Sequence, residues 1–172
     1  MNESLKLVII DSKYCNYLRK YDYRVPYNSD LKELRPFVGV LFKINNYEYF
    51  APLFSPKPKH SKMKNAIDFI CIDGGKYGII NFNNMIPVFE GNYKTIDIEK
   101  NIITTAKERR KYYRMQAEEL MWISEHSTKI INQAIKLYFK YKENKLPDII
   151  KNRCCNFQLL EEKCREYNEI FI

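Results

Sequence analysis

Only one glycine follows Phe89 in this chain of 172 residues; the other four precede it. Glycine, together with asparagine, supplies the positive-φ positions that tight hairpins need, so only the first half can turn back on itself repeatedly. Its apolar runs are short and bounded by turn residues, as half-buried strands require. LKLVII (5–10) reads as a strand, and Asp11 or Ser12 then caps a short helix with Tyr14, Tyr17, Leu18 and Tyr21 on one face. Residues 22–36, with two prolines and no steady period, read as a loop. FVGVLFKI (37–44) and YEYFAPLF (47–54) flank Asn45-Asn46 as a hairpin, and AIDFICI (66–72) and KYGIINF (76–82) flank Asp73-Gly74-Gly75 as a second. MIPVF (85–89) is a last short strand, where Pro87 requires an edge or a bulge. Six strands joined by tight turns close most easily into a small, strongly bent, antiparallel barrel-like sheet.

Beyond Phe89 the period becomes helical. Residues 101–125 suit one long amphipathic helix, and Ser127 or Thr128 can cap a second that stops before Pro147. Asn156 opens a third, acidic in its first half and basic in its second, which matches the helix dipole. No linker separates the halves, so the expectation is a single α+β domain over residues 1–172, with its helices mainly C-terminal.

The charge balance is 29 Lys+Arg against 21 Asp+Glu, a net +8. That favours a polyanionic partner, either nucleic acid or an anionic membrane surface. Fourteen tyrosines tilt the choice toward nucleic acid, because flat rings stack on unpaired bases, although for any single tyrosine a place in the core or at its rim is the better assignment. The five cysteines show no metal-ligand spacing, no leader is evident, and no apolar run is long enough to span a membrane. These features predict reduced thiols in a cytoplasmic protein without a metal or other cofactor. DGGKYG (73–78) lies inside a hairpin rather than between strand and helix, so it is a turn and not a phosphate loop.

The densest group of reactive side chains is APLFSPKPKH (51–60). Pro56 and Pro58 fix φ and hold the segment extended, so Ser55, Lys57, Lys59 and His60 are expected on a stiff exposed ledge. The bland reading is a proline-stiffened loop with solvated lysines. Arg35 precedes the strand that pairs with 47–54, and a hairpin register could carry it to the same corner. An Arg and a Lys beside a hydroxyl make a phosphate clamp. Arg35 could instead pair with Asp30 or Glu33. KERRKYYR (107–114) is either a solvated helix face or an RNA-contacting one. His60 is the natural proton carrier by its ordinary pKa, whereas His126 between two helices reads as structural.

With these residues in hand, the chain resembles the ToxN/AbiQ/CptN family, the toxin endoribonucleases of type III toxin–antitoxin systems. The likeness rests on SKY (12–14), YLRKYDYRVP (17–26), RPFVGV (35–40), YFAPLFSPKPKH (49–60), GIINFNNMIPV (78–88), YYRMQAEELMWI (112–123) and CNFQLLEEKCREY (155–167). The resemblance implies a heavily bent barrel related to MazF/Kid and CcdB with added helices. It also implies metal-independent cutting of single-stranded RNA to 2′,3′-cyclic phosphate ends in a bacterial cytoplasm. Such toxins process a repeat RNA antitoxin into pseudoknots that lock the toxin in a closed protein–RNA assembly, and some abort phage infection. The family's active-site serine and lysine match Ser55 and Lys57, and its upstream basic residue matches Arg35. Some relatives carry threonine where this chain has Phe54, so that hydroxyl is missing here or is supplied by Tyr14 or Tyr27. The expected RNA-contacting set is Lys13, Tyr14, Tyr27, Phe54, Lys59, Lys62, Arg109, Arg110, Tyr112 and Arg114. The alternatives are a non-catalytic RNA-binding module and a protein-binding toxin on the same barrel.

Overall fold

A computed structural model describes residues 4–27 and 35–171. Eight strands form one antiparallel sheet: β1 Lys6–Ile10, β2 Phe37–Gly39, β3 Lys43–Ile44, β4 Tyr47–Phe54, β5 Phe69–Cys71, β6 Ile79–Asn81, β7 Ile86–Val88 and β8 Tyr93–Thr95. The helices are α1 Ser12–Arg19, α2 Ile98–Thr104, α3 Lys107–Glu125, α4 Ser127–Lys142, α5 Asp148–Arg153 and α6 Phe157–Phe171.

β4 is the hub. Its eight residues run apolar almost without interruption, as a strand covered on both faces must. The first half pairs with β3 and β7 (Tyr47 opposite Ile44, Tyr49 opposite Pro87), and the second half with β2 and β6 (Pro52 opposite Phe37, Phe54 opposite Ile79). One strand thus serves two half-sheets. Pro87 sits on β7, which pairs with β4 alone, so the expected edge position is what the proline takes.

The main path runs β5-β6-β4-β2-β1-β8, and its two outer strands do not pair with each other. The sheet is therefore open, and the barrel-like closure expected from the sequence does not occur. Helices and aromatic packing cover the faces that closure would have covered. From α6, Glu161 Oε1 accepts hydrogen bonds from the Tyr49 hydroxyl at 2.6 Å and the Tyr138 hydroxyl at 2.7 Å, tying sheet, α4 and α6 together. Phe157 packs beside both tyrosines and is fully buried, a contribution of about 2–3 kcal/mol.

Element boundaries differ from the sequence expectation where tertiary contacts decide them. The predicted 37–44 strand is broken between β2 and β3, and β8, which the period missed, is held by its ladder with β1 and by Tyr93, whose hydroxyl donates to Glu48. The helix expected over 101–125 begins earlier, capped by Asp97 through the Lys100 N–H. It then breaks where Thr104 and Thr105 turn their hydroxyls back onto helix carbonyls. Neither Ser127 nor Thr128 caps α4. The corner is made by His126, whose ring stacks on Trp122 at 4.0 Å and bonds its carbonyl, the structural role read for it. Asp11 caps α1 and Asn156 caps α6, as the sequence indicated. All five cysteines are buried and unpaired. Among the described residues no helix is long and apolar enough to cross a membrane.

Candidate active site

Strand register gathers the reactive residues at one end of the sheet. Val8 faces Phe37, Phe37 faces Pro52, and Phe54 faces Ile79, so β1 and β4 end where β2 and β6 begin. The start of α1, Arg35, the 55–60 segment and the 72–78 turn all emerge from that end. Arg35 lies with its guanidinium 4.2 Å from the centre of the Phe54 ring, a cation–π contact. The register expected for Arg35 is thus the one adopted; Asp30 and Glu33, its alternative partners, lie outside the described residues. Burial pulls the Arg35 pKa down from its ordinary value, and the nearby Tyr112 of α3 opposes that shift. A guanidinium stays charged through either change.

Ser55, Lys57 and Lys59 are exposed, and Ser55 and Lys57 offer their side chains to solvent without an ion pair or side-chain hydrogen bond among the described residues. Lys57 is extended (φ −130°, ψ 152°), and Pro58–Lys62 then close into a single 3-10 turn. His60 does not stand on the exposed ledge; it is only 2% exposed. Its Nδ1 accepts the Lys57 backbone N–H at 3.1 Å while the His60 backbone N–H donates to the Lys57 carbonyl at 2.9 Å. Burial first, then Lys59 and Lys57, lower its pKa, so the ring is neutral with its proton on Nε2. The imidazole braces the ledge from beneath, a correction to the exposed position expected for it.

Two glycines let the 72–78 turn press onto this ledge. A Cβ at Gly75 would collide with the His60 carbonyl, and one at Gly78 with the Phe54 carbonyl oxygen; both residues hold positive φ (+93° and +100°).

Tyr14 requires a further correction. It is fully buried, its hydroxyl donates to the Pro87 carbonyl, and burial raises its pKa well above the ordinary phenol. It presents no face to a base and no spare proton to a phosphate, so it does not replace the hydroxyl absent at Phe54. One face of Phe54 is occupied by Arg35, which leaves that ring holding a cation rather than an open stacking platform. Tyr27 is 60% exposed with Arg19 5.2 Å from its ring centre. Lys13, Lys59 and Lys62 are exposed, as are Arg109, Arg110 and Arg114 on α3, whose inner side carries the half-buried Tyr112. Gln116 donates to the Tyr112 hydroxyl at 3.0 Å and fixes its direction. Sequence reasoning missed Lys76 and Tyr77, which line a cleft against α3; the paired glycines at 75 and 78 were the available signal.

This corner combines a free hydroxyl, a free ammonium and a guanidinium held by an aromatic ring, flanked by a basic helix. The family model described as "Toxin ToxN, type III toxin-antitoxin system" matches residues 6–165. A protein named endoribonuclease ToxN from Bacillus thuringiensis subsp. kurstaki is 35% identical over 168 residues, covering 95% of this chain and 84% of its own length. A solved toxin, described as selectively inhibited by a non-coding RNA pseudoknot, superposes with a TM-score of 0.79 at 33% identity, over 97% of this chain and 99% of that one. AbiQ, described as a lactococcal anti-phage endoribonuclease of a type III system, superposes with a TM-score of 0.81 at 25% identity, again over 97% and 99%. The chain belongs to the ToxN family, the toxins of type III toxin–antitoxin systems.

Proposed function

We propose that this protein is an endoribonuclease that cuts single-stranded RNA at the Arg35–Ser55–Lys57 corner without a metal ion. The observation that carries the reading is the Arg35 guanidinium on the Phe54 ring, one residue from an exposed serine and three from an exposed lysine. RNA supplies its own nucleophile: the 2′-OH attacks the adjacent phosphorus, the bond from phosphorus to the 5′-oxygen breaks, that oxygen takes a proton from water, and a 2′,3′-cyclic phosphate remains. The 2′-OH proton passes to solvent. Arg35 and Lys57 stabilise the charge that builds on the phosphorane oxygens, usually the largest contribution to such a step. Ser55 orients the phosphate or the 2′-OH; no base lies beside it to make it a covalent nucleophile. Lys13, Lys59, Lys62, Arg109, Arg110 and Arg114 grip the backbone, and Tyr27 and Tyr112 stack splayed bases.

The named relatives extend the reading to partners. A pseudoknot RNA, cut by the toxin from its own repeat transcript, occupies the same basic surface in a closed protein–RNA assembly and holds the toxin inactive in the bacterial cytoplasm. Release of the toxin during phage infection then cuts cellular or phage RNA. The test is purified Ser55→Ala protein with labelled RNA. Cleavage is expected to fall more than ~100-fold, with RNA affinity within about threefold of the parent. Unchanged turnover removes Ser55 from the chemistry, and a parent protein that binds RNA without cutting it leaves only a binding module. Cleavage is expected to persist in excess EDTA; its loss would assign a metal.

A further inference from the structure

The 72–78 turn forms one wall of a cleft whose other wall is α3. Tyr77 and Lys76 come from the turn, and Lys111, Tyr112, Met115 and Glu118 from the helix, enclosing about 740 Å³. Sites for small organic groups span roughly 300–1,000 Å³, so a base with its ribose fits. Tyr77, Tyr112, Met115 and Ala117 give the cleft its apolar surface, and Lys76, Glu108, Lys111, Arg114 and Glu118 line it as well. Lys76 sits 4.7 Å from the centre of the Tyr77 ring, which steadies that ring.

The cleft also borders the ledge on both sides. Gly78, next to Tyr77, presses against the Phe54 carbonyl one residue before Ser55, and Tyr112 lies beside Arg35. A strand whose phosphate rests on Arg35 and Lys57 would therefore deliver a neighbouring base into this space.

We propose that the cleft is a nucleobase subsite that takes one unstacked base of the RNA strand and selects bases bearing an exocyclic amine over uracil. The selection comes from Glu118, which is exposed and lies in no salt bridge among the described residues, although the Lys76 ammonium of the same cleft attracts it. An ionised carboxylate only accepts hydrogen bonds. Adenine, cytosine and guanine offer amine protons to it, whereas uracil offers one N–H flanked by two carbonyl oxygens that repel it. The proposal rests on the ledge being where the phosphate sits.

The test separates the two readings by measuring binding in the Ser55→Ala protein, where nothing is cut. Fluorescein-labelled octamers rC8 and rU8 have the same ring size and backbone and differ only at the 4-position edge. The expected result is ~10-fold tighter binding of rC8, with Glu118→Gln reducing the ratio to about threefold or less, because an amide both donates and accepts. Equal affinity for the two octamers, or a ratio that Glu118→Gln leaves unchanged, overturns the subsite. Glu118 is exposed, so the substitution leaves folding intact. If the parent protein cuts RNA and the ratio ignores Glu118, the subsite fails and the ledge stands. If the ratio depends on Glu118 and no RNA is cut, the ledge fails as a catalyst and the subsite stands.

Discussion

Replacing Glu119 with glutamine is expected to stabilise this protein, and to do so more strongly as pH rises. Glu119 lies on the inner side of α3, one turn beyond Gln116, and is only 3% exposed. Its Oε2 has no hydrogen-bond partner among the described residues, and burial raises its pKa from the ordinary 4.5 to about 8. The folded protein therefore holds a proton there that the unfolded chain releases above pH 4.5. Stability from this group is complete below 4.5 and is lost as pH climbs toward 8. Each pH unit in that window removes ~1.4 kcal/mol, so about 3 kcal/mol has gone by pH 7 and roughly 4 kcal/mol by pH 8, where the loss levels off. Against a total of ~5–15 kcal/mol for a typical domain, that is a large fraction. Glutamine has nearly the same shape and takes up no proton. Urea unfolding of both proteins at pH 5, 6, 7 and 8 should show the stability difference rising steadily in favour of Glu119→Gln. Far-ultraviolet circular dichroism is the suitable signal, since it follows the helices as a whole, whereas Trp122 fluorescence follows its local stacking on His126. A difference that stays constant within ~0.5 kcal/mol across that range would refute a buried, unpartnered carboxyl. The helix concerned carries Tyr112 and one wall of the proposed base cleft, so the same titration should loosen the site at high pH.

Three further outcomes are expected. Phe54→Ala removes the ring beneath Arg35 and should lower kcat about tenfold with KM little changed; Phe54→Tyr should restore the rate, and a neutral Phe54→Ala would show that the ring does not position the guanidinium. Gly78→Ala should cost more than ~3 kcal/mol in thermal unfolding, because a Cβ there meets the Phe54 carbonyl at positive φ, while Gly74→Ala, which meets nothing within 4 Å, should cost only ~1 kcal/mol. His60→Ala should reduce kcat by loosening the ledge yet leave the shape of the pH–rate profile intact; disappearance of one limb would return His60 to proton transfer.

Much of the site could be read from residue types and local rules. Pro56 and Pro58 dictate an extended, exposed corner wherever they occur, and Asn45-Asn46 forces a two-residue turn whose Asn45 takes φ +52°. That turn starts β4 at Tyr47, and the antiparallel return then brings its end beside Arg35. The same rules misplaced His60 and Tyr14, because hydropathy ranks imidazole and phenol as surface groups while a single hydrogen-bond partner suffices to bury either. The Lys57 N–H does this for His60 and the Pro87 carbonyl for Tyr14. Pro87 lies 73 residues from Tyr14, beyond the reach of any sequence window.

What the chain alone determined was therefore local: where it turns, where its period changes from two to 3.6, and which segment is too stiff to hide its serine and lysines. Only the tertiary structure decided that the sheet stays open, that histidine serves as a brace, and that a plain turn and a helix 30 or more residues apart in sequence enclose a cleft. Those outcomes depend on which surfaces meet across long stretches of chain, and the free energy of that meeting belongs to pairs of residues rather than to any residue by itself.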